Sequence, residues 1–156
     1  MAQIVLTTLN ARYIHAAFGL RYLLANLGPL RQQACLVEFD LQQRPLEVVE
    51  SILAQDPQIV GLGVYIWNVS QATEVLAALK RVRPQVTVVL GGPEVSYETE
   101  EQEIVRLADY VIHRRGGFEI CGGLRGPSAR AASCGKNHCG GCARSGAPAT
   151  ALRFLQ

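Results

Sequence analysis

"VTVVLGGPEVSYE", residues Val86 to Glu98, sets a run of β-branched and aliphatic residues directly against a Gly-Gly-Pro turn, with an acidic, helix-like stretch beyond it. A run this continuously apolar has no polar face to give to water. It therefore reads as a strand covered on both sides, as in a parallel sheet with helices on each face. The turn carries the second piece of information. Two glycines permit positive φ and a close approach to the backbone, and Pro93 fixes the chain that follows. Such a turn suits any strand-to-helix junction, and it equally suits a ligand lying against the strand end.

Working outward, the same alternation recurs from the start of the chain. "QIVLT" (Gln3–Thr7) is a first strand, followed after a loop by a helix around Phe18–Leu27 with Phe18, Tyr22 and Leu23 along one side. "QACLVEF" (Gln33–Phe39) is the second strand, and "PLEVVESILAQ" is a helix opened by Pro45, with Leu46, Val49, Ile52 and Leu53 on one face. "IVGLGVY" (Ile59–Tyr65) is the third strand. Asn68 and Gln71 fit a capping box for a helix whose Val75, Leu76, Leu79 and Val82 turn inward. Beyond the fourth strand, Thr99 and Gln102 repeat the capping pattern before Ile104, Val105 and Leu107, and "DYVI" (Asp109–Ile112) opens a fifth. Strand and helix alternating at this interval predict a flavodoxin-like α/β domain, doubly wound, with a five-stranded parallel sheet in order 2-1-3-4-5. In such sheets ligands bind beyond the carboxyl ends of the strands. Three segments converge there: Thr7–His15, Tyr65–Asn68 and Gly91–Ser96. In "VYIWN", a Tyr, an Ile and the only Trp of the chain place bulky apolar surface where a loop is ordinarily polar, which suits a large, partly apolar ligand or a neighbouring domain.

Charge and composition divide the 156 residues near Ile112. Residues 1–112 carry 8 basic and 12 acidic side chains, whereas residues 113–156 carry 7 basic and only Glu119. The second part holds four of the five cysteines and nine of the fifteen glycines, with no valine, so it offers little to a core. It is expected to be an irregular tail following a domain of residues 1–112. No apolar run approaches the ~20 residues of a membrane span, and the start lacks a basic, apolar leader; a cytoplasmic protein with reduced cysteines is expected. The basic excess lies in the tail and lacks interleaved aromatics, so no specific nucleic-acid partner is expected.

"TTLNARYIHAAFGLRYLLANLG", "VGLGVYIWNV" and "VVLGGPEVSYE" resemble, in order and spacing, the N-terminal cobalamin-binding domain of radical S-adenosylmethionine enzymes. The resemblance covers residues 1–112 and implies a domain that holds the corrin ring of cobalamin at the carboxyl edge of the sheet. It implies that Thr8, Leu9 and Asn10 border the nucleotide tail and that Tyr65, Ile66, Trp67 and Asn68 border the ring. Gly91, Gly92, Pro93, Glu94 and Ser96 would form the ring edge or tail cleft. S-adenosylmethionine and a 4Fe-4S cluster would belong to a catalytic barrel absent from this chain, the partner of the domain in the parent enzyme. No residue here is assigned a catalytic role.

Two features depart from related patterns. Mutase-type cobalamin domains carry Asp-x-His-x-x-Gly in the first strand-to-helix loop, where the His ligates cobalt. Here Tyr13 takes the place of the Asp, and Gly19 lies one residue too far from His15. Without a carboxylate to orient it, His15 is expected not to be a cobalt ligand. The second departure is the tail. Cys134, Cys139 and Cys142 have Cys-x4-Cys-x2-Cys spacing, which is wrong for the radical-enzyme cluster but compatible with a ferredoxin-type cluster completed by Cys121 or a zinc site using His138. A different explanation accounts for the composition as well: the tail is out of frame. Codons for His113 to Gly117, read one base later, can encode Thr-Gly-Glu-Ala-Asp, the turn such a domain would have after "YVI". The readings left open are a corrinoid-binding module, a small flavodoxin-like nucleotide or flavin binder, and an iron–sulfur or zinc protein using the tail cysteines.

Overall fold

The computed structural model describes residues 2–11, 16–96 and 102–112, and the backbone of 118–120. Seven of the expected elements follow one another as β1 (Ile4–Asn10), α1 (Phe18–Ala25), β2 (Ala34–Asp40), α2 (Pro45–Leu53), β3 (Ile59–Gly63), α3 (Val69–Val82) and β4 (Thr87–Gly91). A short α4 (Glu103–Leu107) and β5 (Tyr110–Ile112) complete the expected set, and 3-10 turns occupy Gly28–Gln33 and Glu94–Ser96. The five strands are parallel in the order 2-1-3-4-5. Beyond Ile112, where the sequence suggests irregular chain, Phe118–Ile120 adds β6 antiparallel to β5. The tail cysteines lie outside the described residues. Among the described residues no helix is long and apolar enough to cross a membrane.

The strands are apolar on both faces, and each face has its own cover. Val5, Leu9, Val60, Leu62, Val64, Val88, Leu90 and Val111 join one continuous core with residues of α2, α3 and α4. Leu6 and the glycines of β3 face the other way, toward Leu20 of α1. α2 begins as its sequence predicts: Pro45 stands in the first turn, and the Glu47 carboxylate accepts the Arg44 N–H at 3.4 Å. Its inward face is Val48, Val49 and Ile52, so Leu46, expected inside, is exposed. The face centres on Ile52, and Leu46 falls too far around the helix to reach the sheet. Val82 is exposed for a related reason. The buried stripe of α3 is Ala72, Val75, Leu76 and Leu79, and the helix ends before it can continue. Phe18 and Tyr22, expected along one side of α1, are also exposed; that helix rests on the sheet through Leu20 instead.

The short β5 pairs with β4 at only two registered positions, Val89 with Tyr110 and Leu90 with Val111. Asp109 reinforces this pairing. Its carboxylate accepts the Val88 N–H at 2.7 Å and the Lys80 ammonium at 2.5 Å, while Lys80 also donates to the Val86 carbonyl at 2.8 Å. A charge from α3 thus ties the start of β5 to the start of β4 by charge-assisted bonds.

One core position is imperfect. Thr7 alternates with Val5 and Leu9 on the α2–α4 side of β1, opposite Val37 and Leu62 in register, and its buried hydroxyl has no hydrogen-bond partner. A buried, unsatisfied hydroxyl costs about 1–3 kcal/mol, and valine has nearly the same shape. Thr7→Val is expected to raise stability by about 1 kcal/mol, or about 4 °C in thermal midpoint. Thermal unfolding followed by circular dichroism checks this, and a lower midpoint for the variant would show that the hydroxyl is satisfied.

Candidate functional site

The carboxyl ends of β1 and β3 lie side by side, with Thr8 opposite Gly63. The chain after β1 feeds α1 on one face of the sheet, and that after β3 feeds α3 on the other. This divergence opens a crevice at the strand ends. Asn68 closes its floor. The side chain is 1% exposed, its Oδ1 accepts the Tyr65 N–H at 2.8 Å, and its Nδ2 points at Leu9 O (3.0 Å), Thr8 Oγ1 (3.2 Å) and Gly63 O (3.2 Å). Thr8 Oγ1 in turn donates to Gly63 O at 2.8 Å. The capping box expected of Asn68 and Gln71 is not formed: Asn68 makes no side-chain cap, and Gln71 donates to the Leu41 carbonyl after β2. The sequence pattern identified the right residue for a different bond. Gln102 likewise stands at the N-cap position of α4 and donates to Glu94 O at 3.1 Å; Thr99 lies outside the described residues.

The turn locked by Asn68 carries Tyr65, Ile66 and Trp67. Tyr65 and Trp67 stack with ring centroids 4.6 Å apart and planes 7° from parallel. Ile66 is 74% exposed and Trp67 53%. The hydrocarbon and aromatic surface is thus presented outward on a turn pinned at Tyr65, whose N–H donates to Asn68 Oδ1 and whose carbonyl accepts the Asn68 and Val69 amides, so the exposure is built into the fold. Isolated exposed apolar residues are ordinary, but a stacked aromatic pair with an adjacent Ile at the strand-end crevice is a formed platform.

Across the crevice, the two glycines of the fourth strand do different work. Gly92 has φ +123°, and a Cβ there would lie 2.2 Å from the Val64 carbonyl oxygen, so the residue is glycine because β3 passes against it. A Cβ at Gly91 would meet nothing within 4 Å. Gly61 and Gly63, on the same face, are filled in by neighbours: a Cβ at Gly61 would lie 2.8 Å from Leu6 Cδ2, and one at Gly63 would lie 3.5 Å from Leu20 Cδ1. Among these strand-end glycines and the described residues around them, open approach to the backbone is therefore confined to Gly91. The turn after it is held by Ser96, whose hydroxyl donates to Gly92 O at 2.7 Å, and by buried Val95.

The expected binding residues therefore fall into two groups. Tyr65, Ile66, Trp67 and Gly91 offer surface or open space at the edge. Thr8, Leu9 and Asn68 are buried behind it, while Gly92 and Ser96 shape the turn. Pro93 is exposed, Glu94 is half-buried and opens the 3-10 turn, and Asn10 is half-buried at the end of β1. His15 lies outside the described residues, as do Tyr13 and the cysteines from Cys121 onward. Among the described residues no group of His, Cys, Asp or Glu could hold a metal ion, and Cys35 is a free thiol pushed above its ordinary value by burial.

Sequence reasoning overlooked Glu38. Its Oε1 accepts the Ala17 N–H at 2.6 Å and the Asn10 amide at 3.4 Å, and its Oε2 pairs with Arg21. Burial alone would raise its pKa, but the Ala17 amide, Asn10 and Arg21 together hold the carboxyl below its ordinary 4.5. Nothing local announces this role, because a lone Glu in a strand ordinarily reads as a solvated position.

An α/β domain with a side-chain-free approach beside an aromatic platform, at the point where the strand order turns back, is a ligand-carrying module of the doubly wound class. The B12 binding domain family matches residues 4–118, and the chain belongs to that family. No curated protein matches. Among solved structures, a novel cobalamin-binding protein from Desulfitobacterium hafniense DCB-2, determined at 1.5 Å, is 21% identical, with a TM-score of 0.47. The similarity covers 70% of this chain and 52% of that one, so the chain matches about half of that protein's length.

Two expectations about stability follow. Asn68→Ala removes four contacts and strands buried backbone groups, and it should cost about 3 kcal/mol. Asn68→Asp should be at least as costly, because it would set a second oxygen against the carbonyls of Leu9 and Gly63; urea denaturation measures both. For Glu38, the folded carboxyl has the lower pKa, so its contribution is complete above pH 4.5 and is lost as pH falls through the folded value. The difference in thermal midpoint between the native protein and Glu38→Gln should accordingly shrink below pH 4.5, and a gap that is constant with pH would contradict the assignment.

Proposed function

We propose that the chain is a cobalamin-binding module that holds the corrinoid against the edge formed by Asn10, Tyr65, Trp67 and Gly91, with no protein ligand to cobalt. Membership of the B12 binding domain family supports corrinoid binding. The observation that carries the assignment of the edge is the open space at Gly91 beside the stacked Tyr65–Trp67 pair. A flat macrocycle with an apolar rim covers aromatic area of this kind, and its tail needs a place where the main chain can be approached without a Cβ in the way. The residues present suit the group on both counts.

In this role, Tyr65, Ile66 and Trp67 supply apolar contact area, and their turn is stiffened beforehand by Asn68, so little ordering remains to be done on binding. Cobalamin when bound supplies alkyl-transfer or radical chemistry that no side chain can perform; the protein binds and orients it. His15 is left out as a ligand because Tyr13 stands where an orienting carboxylate would be needed.

The parent we infer is a radical S-adenosylmethionine enzyme, in which a separate barrel holds the 4Fe-4S cluster and cleaves S-adenosylmethionine. The support is the likeness of the three segments described above. The coding DNA after the Ile112 codon tests it: an open frame one base away that leads to Cys-x3-Cys-x2-Cys would identify the parent, and a closed frame would remove this reading.

Hydroxocobalamin titration followed by visible absorbance tests the module itself. Gly91→Val should weaken binding by about tenfold or more, since it fills the approach at a position where a Cβ meets no described atom within 4 Å. Gly92→Val should instead lower stability, because its Cβ collides with the Val64 carbonyl. His15→Ala should leave the affinity nearly unchanged. Loss of binding in His15→Ala with retention in Gly91→Val would reverse the assignment in favour of a histidine-ligated site.

A further inference from the structure

Glu38 stands on β2, one strand away from the end of β3, yet its side chain is joined to both the end of β1 and the start of α1. Through Oε1 it holds Asn10, at the end of β1, and the Ala17 N–H, at the entry to α1; through Oε2 it holds Arg21, one turn further along the helix. Ala17 caps α1 without a side-chain acceptor of its own, so this carboxylate from another strand supplies the negative charge that a helix start favours. The position it fixes bears on the aromatic platform because α1 lies beside it. α1 lays Leu20 over Gly63, and a Cβ at Gly19 would stand 3.9 Å from the Tyr65 hydroxyl. Tyr65 is in turn stacked on Trp67.

We propose that Glu38 is the positioning residue of the strand-end edge: by clamping the first turns of α1 to the end of β1, it holds that helix beside Gly63 and the Tyr65 hydroxyl and so limits the movement of the Tyr65–Trp67 pair. It touches neither the platform nor any ligand placed on it, and it acts through the helix. Its importance to a corrinoid rests on the reading given under Proposed function, but its action on the platform does not. Loss of the clamp frees α1 to shift over the sheet, because Leu20 is the one side chain of that helix that is buried. The space beside the Tyr65 hydroxyl then widens, and the platform is free to move into it.

The chain has a single tryptophan, Trp67, so its emission and acrylamide quenching report the platform with no ligand present. The test compares the native protein, Glu38→Ala, Glu38→Gln and Arg83→Ala. The last breaks the ion pair between Arg83, after α3, and Asp56, before β3, at the opposite edge of the sheet. In Glu38→Ala, quenching of Trp67 should rise and hydroxocobalamin affinity should fall about tenfold, as expected for a binding group whose support is removed. Glu38→Gln keeps an oxygen for Ala17 and Asn10 and should recover part of both effects, while Arg83→Ala should change neither. Unchanged Trp67 quenching in a folded Glu38→Ala would overturn the proposal. Equal changes in Glu38→Ala and Arg83→Ala would also overturn it, by showing general loosening. A native protein that does not bind hydroxocobalamin, but whose Trp67 responds to Glu38 as described, would remove the corrinoid reading and leave the positioning role in place.

Discussion

The carboxamide of Asn68 is the constraint on which the strand-end edge depends. At the ends of β1 and β3 the ladder runs out, and carbonyls of Leu9 and Gly63 are left facing a buried space. Water could satisfy them in an open crevice, but a wet floor would leave the turn above it free to move. A side chain with donors on one side and an acceptor on the other meets both demands: it satisfies the carbonyls below and the Tyr65 amide above. Few side chains can do so. Aspartate lacks the donors, and serine lacks the reach to span two strands and a turn. The exposed aromatic pair is tolerable because this one buried amide holds its backbone in place.

The glycines show how tight packing and open backbone are separated. Gly92 is required by the protein's own packing against the Val64 carbonyl, a Cβ at Gly61 would press on the Leu6 side chain, and one at Gly63 would make ordinary contact with Thr8 and Leu20. Gly91 is required by none of these. The ladder continues past it all the same, since its carbonyl accepts the Val64 N–H at 2.7 Å. The backbone at Gly91 is thus rigid on the side facing β3 and bare on the face presented to the edge. A rigid, bare strand end differs physically from a merely flexible glycine turn, because a ligand meeting it loses no binding free energy to ordering the chain.

Much of this was legible in the sequence, and the limits have a physical pattern. The strands were readable because burial on both faces leaves continuous apolar runs, and their order followed from the regular alternation with helices. Single helix faces were read less well: Leu46, Val82, Phe18 and Tyr22 all fit an amphipathic pattern but are exposed, since periodicity specifies a stripe and not how far the sheet beneath it extends. The bonds of Asn68 and Glu38 were invisible for a further reason. They join residues about 60 and 21 positions apart, and the helix-capping spacing at Asn68 offered a local partner that the fold declined. The two glycines of "LGG" were identified together, yet their separate reasons required the position of β3.

These features together explain why the platform lies at this edge and no other. On the α2–α4 face, bulky side chains from every strand fill the interior, leaving no approach to the backbone. On the α1 face, β3 contributes glycines, so α1 can sit low over the sheet with Leu20 close to Gly63. A low helix brings its first turn level with the end of β3, beside the Tyr65 hydroxyl. The depth of α1 is set at one end by glycine, which admits it, and at the other by Glu38, which holds it. Packing against a bare strand is non-directional and would allow the helix to slide, whereas a carboxylate bonded to the helix start is directional and would not. The aromatic platform is therefore placed by two different kinds of force, and the directional one supplies its precision.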